Sequence, residues 1–199
     1  PIRSGFSGAD RAEAMEYFSL DPNRKTLFVN GGSLGAATIN VAMALIDDDL
    51  GEFAEQWQLL HVAGMSKVTE IEDQDGPGAM RPIVLEYCDR MDLAYAAADL
   101  SLCRGGASTA AELAASGTPG LIMPYPYHKD DHQRLNAAPL EDSGAAIICK
   151  DAADGAQNAT MLRETLLPLL GDSDRLAKMR TAAVSMARPD AAKDVADWM

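Results

Sequence analysis

The sequence is short of cysteine, short of cations and without a long apolar run. Its 199 residues hold three cysteines, Cys88, Cys103 and Cys149. They are far apart and odd in number, so they form neither a CxxC zinc pattern nor a disulfide framework. Each lies in an apolar stretch, which suits a buried, reduced thiol. Only 17 Lys and Arg stand against 30 Asp and Glu, a net charge of −13. A surface this acidic repels phosphate backbones and anionic lipid heads, and no basic stripe with interleaved aromatics counters it. Nucleic acid is thereby excluded as a partner. No apolar run approaches the roughly 18 residues needed to cross a bilayer, and no signal-peptide pattern opens the chain. There is no internal repeat and no low-complexity linker. The first residue is Pro1 rather than Met, as expected of a processed terminus or an excised fragment.

What is present is ordinary globular composition, 47% apolar and 24% charged. That is enough chain for one large domain, or two small ones, with a sizeable core and no need of staples. Short apolar runs alternate with helical patterns. Strands are predicted at Lys25–Asn30, Trp57–Ala63, within Arg81–Cys88, and at Leu100–Cys103, Leu121–Pro124 and Ala145–Cys149. Helices are predicted at Ala36–Ile46, Met91–Ala98, Thr109–Ser116 and Asp131–Asp142, and from Asn158 to the end with breaks near Gly171 and Arg188-Pro189. Unbroken apolar strands alternating with helices indicate an α/β fold, a parallel sheet with helices on both faces. Right-handed crossovers then line up the loops after the strands along one ligand-binding edge.

Three of those loops carry chemistry. Asn30-Gly31-Gly32-Ser33-Leu34-Gly35-Ala36 joins a strand to a helix, so its glycines allow close backbone approach and the helix start offers free N–H groups to a phosphate. It is not a dinucleotide fingerprint, because Asn stands at position 30 and His61-Val62-Ala63-Gly64 ends the second strand where an acid is needed. Nor is it a Walker loop, which requires Gly-Lys-Ser/Thr. The second loop runs Cys103-Arg104-Gly105-Gly106-Ala107-Ser108-Thr109-Ala110-Ala111-Glu112. Ser108 or Thr109 suits a helix cap, and Thr109-x-x-Glu112 suits a capping box. Glu112 is open to a second role, accepting hydrogen bonds from paired ligand hydroxyls. The third loop, Tyr125 to Asn136, ends in a helix capped by Asp130 or Asp131 and presents His132 and Gln133. His128 and His132 are spaced like metal ligands on one helix face, but no third ligand accompanies them, and no metal site is assigned.

Read in order, Pro1-Ile2-Arg3, GGSLGA at 31–36, CRGGASTAAELAASG at 103–117 and HKDDHQRLNA at 128–137 resemble the C-terminal half of MurG-type glycosyltransferases. These enzymes move N-acetylglucosamine from UDP-GlcNAc to the undecaprenyl-pyrophosphoryl-muramyl-pentapeptide precursor of peptidoglycan. The resemblance implies one half of a GT-B fold, a Rossmann-like domain over 1–199 that binds the nucleotide sugar. The N-terminal acceptor domain would lie outside this chain. It further implies that Arg3 and Ser33 help bind the diphosphate and that backbone groups of Cys88, beside Tyr87, read the uracil. Ala107, Ser108 and Thr109 would lend N–H groups to the phosphates, with Arg104 supporting their loop. Glu112 would bind the ribose hydroxyls, and His132 and Gln133 the GlcNAc hydroxyls. Gly105 and Ser108 stand where the family often has Ser and Leu.

The resemblance also implies chemistry without a cofactor or metal, the leaving diphosphate being stabilised by helix N-termini and Arg. The base that inversion requires would come from the absent domain, as would the contact with the lipid acceptor and the membrane. The domain itself is expected to be cytoplasmic, monomeric and inactive alone, within a whole protein peripheral to the membrane. Two other readings compete: a related GT-B enzyme, such as a glycolipid glucosyltransferase or a UDP-GlcNAc 2-epimerase, and a nucleotide-sugar-binding module without transfer chemistry. The His-Gln-x-x-Asn-Ala block favours the MurG type over the former.

Overall fold

A computed structural model describes residues 5–6, 8–32, 35–65, 80, 82–127, 130–188 and 191–198. The predicted Arg3 and Ser33, with His128 and most of the polar stretch 67–80, lie outside the described residues. In chain order the elements are α1 (Arg11–Tyr17), β1 (Lys25–Asn30), α2 (Ala37–Leu45), α3 (Asp47–Gly51), β2 (Trp57–Val62) and β3 (Ile83–Leu85). They continue as α4 (Met91–Ala97), β4 (Leu100–Cys103), α5 (Ala107–Ser116), β5 (Gly120–Ile122), α6 (His132–Asp142) and β6 (Ala146–Ile148). Three helices close the chain: α7 (Gly155–Gly171), α8 (Ser173–Ser185) and α9 (Ala191–Trp198).

The six strands form one sheet in the order β3-β2-β1-β4-β5-β6, and every pairing is parallel. Alternation along the strands divides the core in two, since successive side chains face opposite sides. Leu27 and Val29 of β1, with Leu100 and Leu102 of β4, pack on α2, α3 and α7. Phe28 and Cys103 face α1, α4, α5 and α6 instead. Helix α8 wraps the end of the sheet, giving Leu176 and Met179 to one core and Ala183 to the other. All three cysteines are buried and unpaired.

The register levels the strand ends. Asn30 pairs with both Val62 and Cys103, Cys103 with Ile122, and Ile122 with Ile148. The loops that follow therefore share one edge. The chain reverses its direction of travel across the sheet between β1 and β4, and a crevice opens at such a switch point.

Several helices depart from expectation, two of them at an Asp cap; α3 (Asp47–Gly51) occupies the acidic run after the helix predicted to end at Ile46. Residues 11–17 form α1, which the sequence reading left unassigned; Asp10 caps it, its Oδ1 accepting from the Ala12 N–H at 2.7 Å. Helix α7 starts at Gly155 rather than Asn158 because Asp154 takes the cap, accepting from the Gln157 N–H at 2.8 Å. Among the described residues no helix is long and apolar enough to cross a membrane.

Candidate functional site

The first glycine loop is shaped by its contacts. The Asn30 Oδ1 accepts from the Gly32 N–H at 2.9 Å, which folds the loop back onto the end of β1. Gly35 has φ +70°, and a Cβ there would collide with the Ala63 carbonyl oxygen at the end of β2. Only glycine meets both demands. Helix α2 then begins at Ala37 with no side chain capping it. Below it, the wholly buried His61 of β2 faces Asn40 of α2, Nε2 to Oδ1 at 3.0 Å. The Asn40 NH2 donates to the Ala63 carbonyl at 2.9 Å, so its oxygen is the face left to the imidazole, which must carry its proton on Nε2. Burial pushes the His61 pKa down to about 4 and keeps the ring neutral.

The second loop corrects the expected capping. Helix α5 starts at Ala107, two residues earlier than predicted, with Gly106 at the N-cap and no side-chain cap bond. Ser108 and Thr109 are therefore inside the first turn, and the Thr109-x-x-Glu112 capping box does not form. The first intrahelical bond runs from the Ala110 N–H to the Gly106 carbonyl at 2.9 Å. The N–H groups of Ala107, Ser108 and Thr109 precede that bond and project from the helix start, which carries about half a positive charge. Gly106 has the extended backbone an N-cap requires, φ −64° and ψ 150°, and Gly is among the favoured N-cap residues, so it takes the cap ahead of Thr109. Glu112 consequently lies in the second turn of α5, half-buried, rather than at the helix start. Its carboxylate acts on Cys103, whose pKa burial pushes up to about 12, and on the buried Tyr95 hydroxyl.

Arg104 is an internal strut. Its Nη1 donates to Asp151 Oδ2 at 2.6 Å and to the Met123 carbonyl at 2.9 Å, and its Nη2 to Thr38 Oγ1 at 2.8 Å. The guanidinium thus ties the loop after β4 to the end of β5, to the first turn of α2 and to the segment before α7. Asp151 takes four donors, since Thr38 Oγ1, the Ala153 N–H and Asn158 Nδ2 also reach it, at 2.6, 2.7 and 2.8 Å. Burial alone would raise its pKa, but the hydrogen bonds from Thr38, Asn158 and Arg104 outweigh it and hold the carboxyl below the ordinary range. No spacing in the sequence links Asp151 to Thr38 or Arg104; only the fold brings them together.

Gln133 stitches the third loop to the second. Its Oε1 accepts from the Gly105 N–H at 3.2 Å and from the Tyr125 N–H at 2.9 Å, leaving its NH2 uncommitted among the described residues. A Cβ on Gly105 would strike the Gln133 carbonyl oxygen, so this departure from the family's Ser fits a tighter approach of α6. Asp131 holds the N-cap position with φ +52° but makes no side-chain cap bond. Asp130 Oδ1 instead meets His132 Nδ1 at 2.7 Å on the exposed rim, which holds the Asp130 carboxyl below its usual range. Cys88 sits across the edge, after β3, buried beside the exposed Tyr87. Burial pushes its thiol up to about 11, so it is not a nucleophile at neutral pH. A cavity of about 280 Å³ opens there, lined by Tyr17, Phe18, Ile83, Leu85, Tyr87 and Cys88.

The predicted residues that the structure describes therefore converge on one edge. The α5 start and Glu112 are at its centre, with His132 and Gln133 on one side. Cys88 lies on the other side, and Arg104 beneath. The model of the glycosyltransferase family 28 C-terminal domain matches residues 26–195. The chain belongs to that family.

Relatives agree with this family 28 domain over its length. The UDP-N-acetylglucosamine–N-acetylmuramyl-(pentapeptide) pyrophosphoryl-undecaprenol N-acetylglucosamine transferase of Acidothermus cellulolyticus is 44% identical over 192 residues, which is 95% of this chain and 50% of that protein. A crystal structure of Acinetobacter baumannii MurG superimposes with a TM-score of 0.75 at 28% identity, covering 97% of this chain and 53% of the other. WaaG, a glycosyltransferase of lipopolysaccharide biosynthesis, shares the fold with a TM-score of 0.66 at 17% identity. The sheet and its helices are thus those of one half of a GT-B glycosyltransferase. The chain spans about half the length of the curated relatives it matches.

Proposed function

We propose that this family 28 domain binds UDP-GlcNAc as the donor half of an inverting glycosyltransferase that builds the lipid-linked muramyl-pentapeptide precursor of peptidoglycan. The observation that carries the reading is the start of α5. It is uncapped, follows β4 at the switch point of a parallel sheet, and bears Glu112 one turn further along. Its N–H groups suit a diphosphate, and a carboxylate, being acceptor-only, suits two ribose hydroxyls at once. The Gln133 NH2 and the His132 ring, on the adjoining rim, suit the sugar hydroxyls. Arg104 acts beneath the loop, because its Nη1 and Nη2 already donate to Asp151, the Met123 carbonyl and Thr38.

Names of relatives at 44% identity support the transferase over an epimerase, whose likeness here is one of fold at 15% identity. Donor chemistry of this kind stabilises the departing diphosphate with fixed dipoles, which cost no reorganisation during reaction. The catalytic base and the acceptor contacts are assigned to the half of the relatives that this chain does not span. The same assignment covers the membrane contact, because a strongly acidic domain is repelled by anionic lipid heads.

Calorimetry tests the reading. UDP and UDP-GlcNAc are expected to bind this monomeric domain in roughly the micromolar-to-millimolar range, about −8 to −4 kcal/mol, with NADH far weaker. Hydrogen bonds to a charged group contribute about 1.5–3 kcal/mol each, so Glu112→Ala is expected to weaken UDP binding by roughly ten- to a few-hundred-fold after allowing for non-additivity. NADH binding as tight as UDP, or a Glu112→Ala variant that binds UDP as the parent does, refutes the assignment.

A further inference from the structure

Tyr95 of α4 is almost wholly enclosed. Its ring meets Phe28 of β1 edge-on, with centroids 5.2 Å apart, and tilts against Phe6 at 5.8 Å. The ring is thus fully occupied by packing that phenylalanine would supply equally well. The hydroxyl is different, for it closes no hydrogen bond of good geometry among the described residues. A phenol sealed from water is costly without a partner, and buried tyrosines normally have one.

The surroundings of that hydroxyl are those of the candidate site. Asn30 at the end of β1 and Glu112 in α5 are its hydrogen-bonding neighbours, and Cys103 at the end of β4 and Glu112 act on it through their charge. Asn30 and Cys103 are register partners at the switch point. The Asn30 oxygen is already committed to the Gly32 N–H, and the Cys103 thiol is a weak acceptor. Glu112 remains as the strong acceptor within reach, and it is the group assigned to the ribose.

We propose that Tyr95 is a positioning residue for nucleotide binding: its O–H donates to the Glu112 carboxylate and fixes the rotamer that receives the ribose hydroxyls. The inference rests on the ribose role of Glu112 given above. A carboxylate offers about four lone-pair sites, so two ribose hydroxyls and one phenol can be accepted together. Glutamate has three rotatable bonds, and Glu112 is only half-buried. A donor from below removes rotamer freedom before the ligand arrives, which lowers the entropic cost of binding. The phenol itself is not a ligand contact, because Tyr95 is only 1% exposed.

The test is Tyr95→Phe, alone and combined with Glu112→Ala, in the 199-residue chain. UDP titration is read for each variant, and thermal melting for each is read beside it. Phenylalanine keeps the ring packing and removes only the hydrogen bond to Glu112, so melting is expected to fall by only a few degrees. UDP binding is expected to weaken three- to tenfold in Tyr95→Phe and to change less than twofold when Tyr95→Phe is added to Glu112→Ala. Loss of affinity by the same factor in both backgrounds overturns the proposal, since the effect would not run through Glu112. Unchanged UDP affinity in Tyr95→Phe, with Glu112→Ala weakened, overturns the positioning role and leaves the ribose reading standing. Unchanged affinity in Glu112→Ala overturns both.

Discussion

Asp151 is the most informative place to perturb the scaffold, because its two oxygens each accept two hydrogen bonds. Oδ2 takes Arg104 Nη1 and Thr38 Oγ1, and Oδ1 takes the Ala153 N–H and Asn158 Nδ2. Asp151→Asn preserves the shape and turns one oxygen into an NH2. Whichever way the amide is placed, two donors then meet a donor. Bonds to a charged group are worth about 1.5–3 kcal/mol each, so two lost bonds amount to about 3–6 kcal/mol. Rotation of the Thr38 hydroxyl or the Asn158 amide recovers part of that, leaving about 3 kcal/mol by the same scale. A domain of this size loses about 2–4 °C of Tm per kcal/mol, so the variant is expected to melt roughly 6–12 °C lower. UDP affinity is expected to fall as well, because Arg104 and Thr38 anchor the loop after β4 and the start of α2. Differential scanning calorimetry with UDP titration at a temperature where the variant is folded measures both. A Tm within 2 °C of the parent refutes the idea that this carboxylate organises the loops.

Stability is also expected to depend on pH through His61. Its folded pKa, about 4, lies below the unfolded value of about 6.5, so the unfolded chain binds the extra proton between them. Stability therefore rises with pH through that window, and the parent is expected to lose about 2 kcal/mol between pH 7.5 and pH 5. His61→Gln keeps a donor for Asn40 but cannot titrate. Denaturant unfolding at the two pH values should show a slope shallower by that amount, and equal slopes would exclude the mechanism. Asp151 has the opposite protonation chemistry and the same direction, since its depressed pKa adds stability above the ordinary carboxyl range that disappears in stronger acid. Gly35→Ala places a Cβ against the Ala63 carbonyl at positive φ. It is expected to destabilise by more than about 1 kcal/mol and to weaken UDP binding at least severalfold, measured by the same melts and titrations; a neutral result would mean that the loop does not need this close approach.

Strand positions, the parallel sheet and the three ligand-edge loops were legible in the sequence, because each is a local pattern. An apolar run between turn signals reads as a buried strand, and a glycine cluster after it reads as a tight strand-to-helix turn. Arg104, Glu112, His132 and Gln133 lie in or just after such turns, so their common edge followed from topology alone. Helix α1 escaped because a short amphipathic segment behind Asp10 carries little periodicity. The start of α5 differs from the reading because Gly106 takes the N-cap, three residues before the Thr109 that the capping-box pattern names. Pairings across the fold were out of reach. Thr38, Arg104 and Asp151 are joined by 66 and 47 residues of chain, and His61 meets Asn40 only because α2 packs over the end of β2. Tyr95 lies in the helix predicted at Met91–Ala98 with nothing to single it out, and what its hydroxyl meets depends on how α4, α5 and the β1–β4 switch point pack around it. The sequence by itself determined which residues stand at the edge, since that depends on neighbours along the chain. Only the tertiary structure decided which of them stay open at that edge and which brace the others, since that depends on where donors and acceptors from distant segments meet.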